Sequence, residues 1–455
     1  MNETTLKDLP SVDKVLLYIK DNIYLHDKYI KYLINRELDL LRVDIKKGEI
    51  SKTSKELFEY VVNQVHLKSA PSLTNVINGT GIVLHTGFGR APFYARTLKK
   101  IADRMEGYVN LEFDLVSGKR GDRQAHIREH LSAICGSESA LVVNNNAAAV
   151  MLAINGLAQG GDVVVSRGQL VEIGGSFRIP DIIGKSGANL VEVGTTNRTH
   201  IQDYEKAITK KTKLILWVHT SNYVVKGFTK NVPLNELVLI GKRFKIPVMV
   251  DWGSGALLDM RSLKLANEIP VNKIMNSEPD ILTFSGDKLI GGPQAGVIIG
   301  KNKYIKLLQK NTLYRVLRSD KISIGLLEHT LRSYRSNSFT KDNFSLKMLT
   351  TSQKTLKNRG KKIIEYQSKK KIKQLGINLE PSNVEAGSGS LPDDKIESMA
   401  LAFRPRVMKI YELAKLLRCG SIPVIGYMSG NTYYIDLKAV LPNQIIKLAK
   451  AIKEI

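Results

Sequence analysis

The chain has 455 residues, 43% of them hydrophobic, and carries a formal net charge of +25. That length exceeds one compact core and implies two or three domains, while the apolar share excludes a disordered chain. No apolar run approaches the roughly 20 residues of a membrane helix, so no membrane partner is expected. The opening MNETTLKDLPSVDK lacks the basic-then-apolar order of a signal peptide. Two distant cysteines, Cys135 and Cys419, imply neither a disulfide framework nor a metal site and fit a reducing, cytoplasmic location.

Excess positive charge favours polyanionic partners, nucleic acid first; a bias toward Lys in composition is the alternative. The charge is uneven. Residues 301–375 hold 20 Lys+Arg against 4 Asp+Glu, whereas residues 1–70 hold 12 against 11. A nucleic-acid surface would therefore draw much of its charge from the later segment.

Residues 1 to about 68 predict helices. Apolar residues recur at three- and four-residue spacing through VDKVLLYIKDNIYLHDKYIKYLINRELDLLR, with Gly and Pro nearly absent. Ser11 is the expected N-cap of the first. Another helix follows Lys52-Thr53-Ser54, and Ala70-Pro71 marks a boundary.

From about Asn75 short apolar runs alternate with helix-length segments: ALVVN, DVVVS, NLVEVG, LILWVHT, VMVDW, ILTFSG and AGVIIG. This pattern predicts an α/β domain with a mostly parallel sheet covered on both faces. Ligands of such sheets bind at the carboxyl ends of strands. There the polar residues gather: Asn144 to Asn146, Ser166-Arg167, Thr195 to Asn197, His219 to Asn222, Asp251, and Ser285 to Lys288. A Lys-rich helical stretch starts near Thr340. A smaller domain follows from about Gly376, with strand-like PVIGYM and TYYIDL and a closing helix from Pro442.

Those strand ends offer the parts of a pyridoxal-phosphate site: a Schiff-base lysine, an acid for the pyridine nitrogen and a phosphate cradle. Lys288, in SGDKL, is the candidate lysine, closing a strand before Gly291-Gly292-Pro293; an ordinary surface lysine is the alternative. Asp251 ends the preceding strand and would pair with the ring nitrogen, or else cap a turn. Asn145 and Asn146 open a helix whose free N–H groups suit phosphate, or simply cap it. Ser285 would add a hydroxyl to the phosphate. His219 would lie against the ring, the alternative being a packed strand histidine. Arg90, Arg315 and Arg318 are candidate oxyanion forks. The last two share one face if their segment is helical, where a solvated basic face is the plainer reading.

These residues sit in long strings that resemble bacterial selenocysteine synthase, the L-seryl-tRNA(Sec) selenium transferase family. The strings include LPSVDKVL, VINGTGIVLHTGFGRAP, VNLEFDLVSGKRGDR, ALVVNNNAAAVML, VVVSRGQLVEIGGSFRIPDI, LVEVGTTNRTH, VHTSNYVVKGFT, TFSGDKLIGGPQAG, LRSDK, GSGSLP and PVIGYM.

The resemblance implies an aspartate-aminotransferase-like, fold type I pyridoxal-phosphate transferase with an N-terminal helical domain and a smaller C-terminal α+β domain. It implies a tRNA-binding domain over 1–68, a catalytic core over 69–340 and a small domain over 341–455. The implied reaction converts seryl-tRNA(Sec) to selenocysteinyl-tRNA(Sec) with selenophosphate, through an aminoacrylate on pyridoxal 5'-phosphate. Lys288 is then the cofactor lysine and Asp287 a candidate acid/base. Arg90, Arg315 and Arg318 then hold the selenophosphate-like anion. The implied assembly is a homo-oligomer, a decameric ring of dimers, with tRNA rather than DNA as its nucleic acid.

Two departures touch packing. The family commonly has Leu where this chain has Phe88, before Gly89-Arg90, and Leu where it has Trp252, after Asp251. Two other readings stay open on the residues alone: a β-eliminating lyase or aldolase acting on free amino acids, and a non-catalytic RNA-binding protein.

Overall fold

The computed structural model describes residues 4–173, 177–220, 223, 225–265, 268–336, 339–387 and 395–455. Ser221 and Asn222 of the strand-end polar set and most of GSGSLP lie outside the described residues. The chain divides into two compact units, Met1–Val76 and Ile77–Ile455.

The first unit holds helices α1 (Val12–Ile19), α2 (Asp27–Lys46) and α3 (Ser54–Ser69). Ser11 caps α1, its Oγ accepting from the Lys14 N–H at 3.3 Å. Thr53 and Glu56 form a reciprocal capping box at the start of α3, which satisfies donors that no helical carbonyl reaches. The apolar stripes meet in one core of Val15, Ile19, Ile30, Ile34, Leu57, Val61 and Val65. Glu37, buried in α2, is neutralised by Lys68 from α3.

The second unit is built on a seven-stranded sheet. In chain order its strands are β1 (Ser139–Val143), β2 (Asp162–Ser166), β3 (Asn189–Val193), β4 (Thr212–Val218), β5 (Val248–Asp251), β6 (Ile281–Ser285) and β7 (Gly296–Gly300). Each falls on one of the apolar runs. The spatial order is β1-β7-β6-β5-β4-β2-β3. All pairings are parallel except those of β7, which runs against both β6 and β1. Alternate residues face opposite cores, Leu141 and Val143 one way and Ala140 and Val142 the other, so both faces are covered and strands read as continuous apolar runs.

Register sets the site. Asp251 pairs with Val218 on one side and Thr283 on the other, and Ser285 pairs with Gly296, which also pairs with Val143. The carboxyl ends of β1, β4, β5 and β6 thus lie in one row. Lys288 does not close a strand: β6 stops at Ser285. The chain then turns because Gly286 N–H donates back to Ala295 and Gly291 N–H to the Lys288 carbonyl.

A separate antiparallel sheet joins Ile377–Val384, Ile396–Phe403, Thr432–Asp436 and Tyr427–Ser429 in that order. PVIGYM is two strands rather than one. Val424–Ile425 pairs in parallel with Ile77–Asn78, and Tyr427–Ser429 joins the antiparallel sheet.

One close approach is decisive. A Cβ on Gly296 would lie 2.0 Å from the Asn145 carbonyl oxygen, while one on Gly184 would meet nothing within 4 Å. Gly296→Ala is therefore expected to cost at least about 1–3 kcal/mol, the usual scale of overpacking. Thermal denaturation should show a clear drop for it and little change for Gly184→Ala.

Candidate active site

At the carboxyl ends of β1, β5 and β6 lies a cavity of about 290 Å³, lined by Arg90, Asn145, Asn146, Ala147, Phe177, Gly253, Ser285, Asp287, Lys288 and Gln294. Six of the residues singled out from sequence are among them: Arg90, Asn145, Asn146, Ser285, Asp287 and Lys288.

Lys288 is only 3% exposed. Burial, and then the Arg90 cation, push its amine down to about 8, against the opposing pull of Asp251, Asp287 and Glu268. A buried amine with a depressed pKa is a nucleophile near neutral pH. Next to it, Asp287 accepts from Arg90 Nη1 at 3.1 Å on Oδ1 and 3.3 Å on Oδ2. Arg90 reaches it from a turn in which its own φ is 59°, a left-handed conformation that non-glycine residues seldom adopt.

Asn145 caps the helix Asn146–Ala158, its Oδ1 accepting from the Ala148 N–H at 2.9 Å. The N–H groups of Asn146 and Ala147, both on the cavity wall, precede any intrahelical acceptor. Asn146 Nδ2 donates to Asp251 Oδ1 at 2.8 Å, and Thr283 Oγ1 donates to the same oxygen at 3.2 Å. Asp251 is 2% exposed. Burial raises its pKa, opposed by Asn146, Lys288 and Thr283. Both side-chain donors among the described residues use Oδ1, which leaves Oδ2 to meet a cation.

His219 follows β4 and stacks on Trp252, ring centroids 3.8 Å apart and planes 18° from parallel. Trp252 also stacks with Trp217, so the three rings form an aromatic wall at the ends of β4 and β5. Burial, then Lys288, lower the imidazole to about 4, so it is neutral at physiological pH. Its Nδ1 is buried and lacks a hydrogen bond among the described residues.

Arg315 and Arg318 do not line the cavity and do not share a helical face. Their helix is Thr312–Val316 only. Arg318 lies beyond it because its backbone bridges Val143 and the Leu317 carbonyl accepts from Asn144 N–H at 3.0 Å. Arg318 Nη1 donates to Glu112 at 3.1 Å, and Glu112 also holds Arg120 and Arg123. Arg315 is exposed.

Glu268 escaped the sequence reading. It is 5% exposed and accepts from Ser254 Oγ. It lies in no helix or strand, so only the folded structure brings it to His219.

The residues fit pyridoxal phosphate on three observations of this structure. A buried amine of lowered pKa faces the cavity. A buried carboxylate whose donors among the described residues all use one oxygen stands near it. Helix-start N–H groups with no acceptor among the described residues border the same space, suited to an anion.

A family model described as L-seryl-tRNA selenium transferase matches residues 76–441. The chain belongs to that family. It is 42% identical to the L-seryl-tRNA(Sec) selenium transferase of Caldanaerobacter subterraneus subsp. tengcongensis, over 100% of this chain and 99% of that one. It is also 42% identical to the enzyme of the same name from Carboxydothermus hydrogenoformans, over 97% and 96%. The solved structure of a D-glucosaminate-6-phosphate ammonia-lyase superposes with a TM-score of 0.59 at 18% identity, covering 84% of this chain and 95% of that one, a likeness of fold. The fold is the α/β fold of that structure, with the mostly parallel sheet that the apolar runs predicted; the type I pyridoxal-phosphate class is what the resemblance implied.

The depressed Lys288 amine makes a pH prediction. Arg90→Ala removes a neighbouring cation, which favours the charged amine and raises its pKa above about 8. In cofactor-free protein, the pH midpoint for acetylation of Lys288, followed by mass spectrometry, should move up. An unchanged or lower midpoint would count against this electrostatic account.

Proposed function

We propose that this chain converts L-seryl-tRNA(Sec) to L-selenocysteinyl-tRNA(Sec) with selenophosphate, using pyridoxal 5'-phosphate held by Lys288. The observation that carries the reading is the cavity that joins buried Lys288 with Asp287, Arg90 and the Asn146–Asp251 pair, in a chain of this family.

When bound, pyridoxal phosphate supplies an electron sink that labilises groups around an amino acid's α-carbon and lets a β-hydroxyl leave. The protein supplies the rest. Lys288 would hold the cofactor covalently. Asp251, fixed by Asn146 and Thr283, would oppose positive charge on the pyridine nitrogen. The helix start at Asn145 to Ala147, with Ser285, would bind the phosphate. Asp287, its charge steadied by Arg90, would hold or pass the proton at the seryl oxygen. Arg90 would also attract the anionic selenium donor.

The finer partners belong to the same proposal. Residues 1–68 would grip tRNA by shape and local contacts, given their near-neutral charge. Residues 69–340 would be the catalytic core and 341–455 the small domain. Arg315 and Arg318 would meet selenophosphate where copies of the chain adjoin, in a decameric ring of dimers in the cytoplasm.

Lys288→Ala should abolish both the visible absorbance of the cofactor-loaded protein and single-turnover conversion of seryl-tRNA(Sec). Asp251→Asn should retain cofactor yet lose roughly 10²–10³-fold in rate, the usual weight of a buried electrostatic stabiliser. A wild-type protein that stays colourless after reconstitution would defeat the cofactor reading. Rapid turnover of free serine without binding of tRNA(Sec) would favour the lyase reading instead.

A further inference from the structure

Within electrostatic reach of Lys288, Glu268 Oε1 faces His219 Nδ1 at 3.9 Å. Ser254 Oγ donates to the same carboxyl oxygen. The separation is too long for a hydrogen bond. Yet Nδ1 is buried and finds no partner among the described residues. Glu268 Oε1 is the carboxyl oxygen that the structure places nearest to that buried nitrogen.

The protonation states follow from the surroundings. The groups that act on His219 are Lys288, Glu268 and the stacked Trp252 and Trp217. Burial raises Glu268, against Ser254 and Lys288, and burial lowers His219. Both groups are thus driven toward their neutral forms. A buried carboxyl proton needs an acceptor. Ser254 is already donating, and Nδ1 is the unmatched acceptor in reach. If Nδ1 accepts, the single ring proton must sit on Nε2.

We propose that Glu268 is a positioning residue acting through His219: its carboxyl group, anchored by Ser254, donates to Nδ1 and fixes the imidazole as the neutral tautomer protonated on Nε2. The ring is thereby held near-parallel to Trp252 with one defined donor, Nε2. Glu268 itself touches no reacting atom.

The inference concerns the site read above as a pyridoxal-phosphate centre, but its test runs without cofactor, so either can fail alone. Protein with ¹⁵N-labelled histidine, studied by solid-state NMR and assigned by His219→Asn, reports the tautomer directly. Wild type should show a non-protonated Nδ1 and a protonated Nε2 at neutral pH. Glu268→Gln keeps a donor of similar shape and should keep that tautomer. Glu268→Ala should release it to a mixture of the two, with kcat in the loaded enzyme falling at least about tenfold, an orientation loss, and KM little changed. A wild-type His219 protonated on Nδ1 would overturn the proposal, as would a Glu268→Ala spectrum identical to wild type. If the Ala variant does not fold, Glu268→Gln decides alone: an Nδ1-protonated ring in it refutes the assignment.

Discussion

The site depends on how β7 wedges between β6 and β1. This one antiparallel strand brings Gly296 level with both Ser285 and Val143. Its backbone then passes so close to the Asn145 carbonyl that no side chain fits. Chain segments far apart in sequence are thereby held at one spacing: the helix start at Asn146, the acid at Asp251 and the lysine turn after Ser285. The Asn146–Asp251 hydrogen bond joins residues 105 apart, and it forms because the strand register leaves those two ends adjacent.

Around that frame the charges balance by burial rather than by solvent. Lys288 and Arg90 are cations in a small space with Asp251, Asp287 and Glu268. Arg90 is taken up by Asp287, which leaves the lysine amine depressed but still under the influence of two further carboxyl groups. Desolvation pushes Lys288, Asp251 and Glu268 toward neutrality, and their oppositely charged neighbours restrain it. Such opposed shifts within one cleft are typical of sites that move protons.

Much of the fold was legible in the sequence because its signals are local. Seven apolar runs became the seven strands, and Ser11 and Thr53 cap the helices expected of them. Six candidate residues reached one cavity because strand ends in parallel sheets converge. What escaped is non-local. Glu268 lies in no periodic element and gains meaning only against His219. The helix carrying Arg315 ends before Arg318 because a backbone bridge to Val143 competes for the chain. PVIGYM splits because its first half pairs with Ile77–Asn78, more than three hundred residues earlier in the sequence.

The aromatic wall has one more property. The chain has two tryptophans, and both stand in it: Trp217 and Trp252 lie 5.7 Å apart, with His219 stacked against Trp252. All indole fluorescence of the protein therefore originates within one cluster at the ends of β4 and β5, next in the chain to Gly253 of the cavity wall. The emission is a built-in optical gauge of those strand ends, with no indole background from any other part of the chain. Events at the remaining surface will be silent in it unless they reach the strand ends.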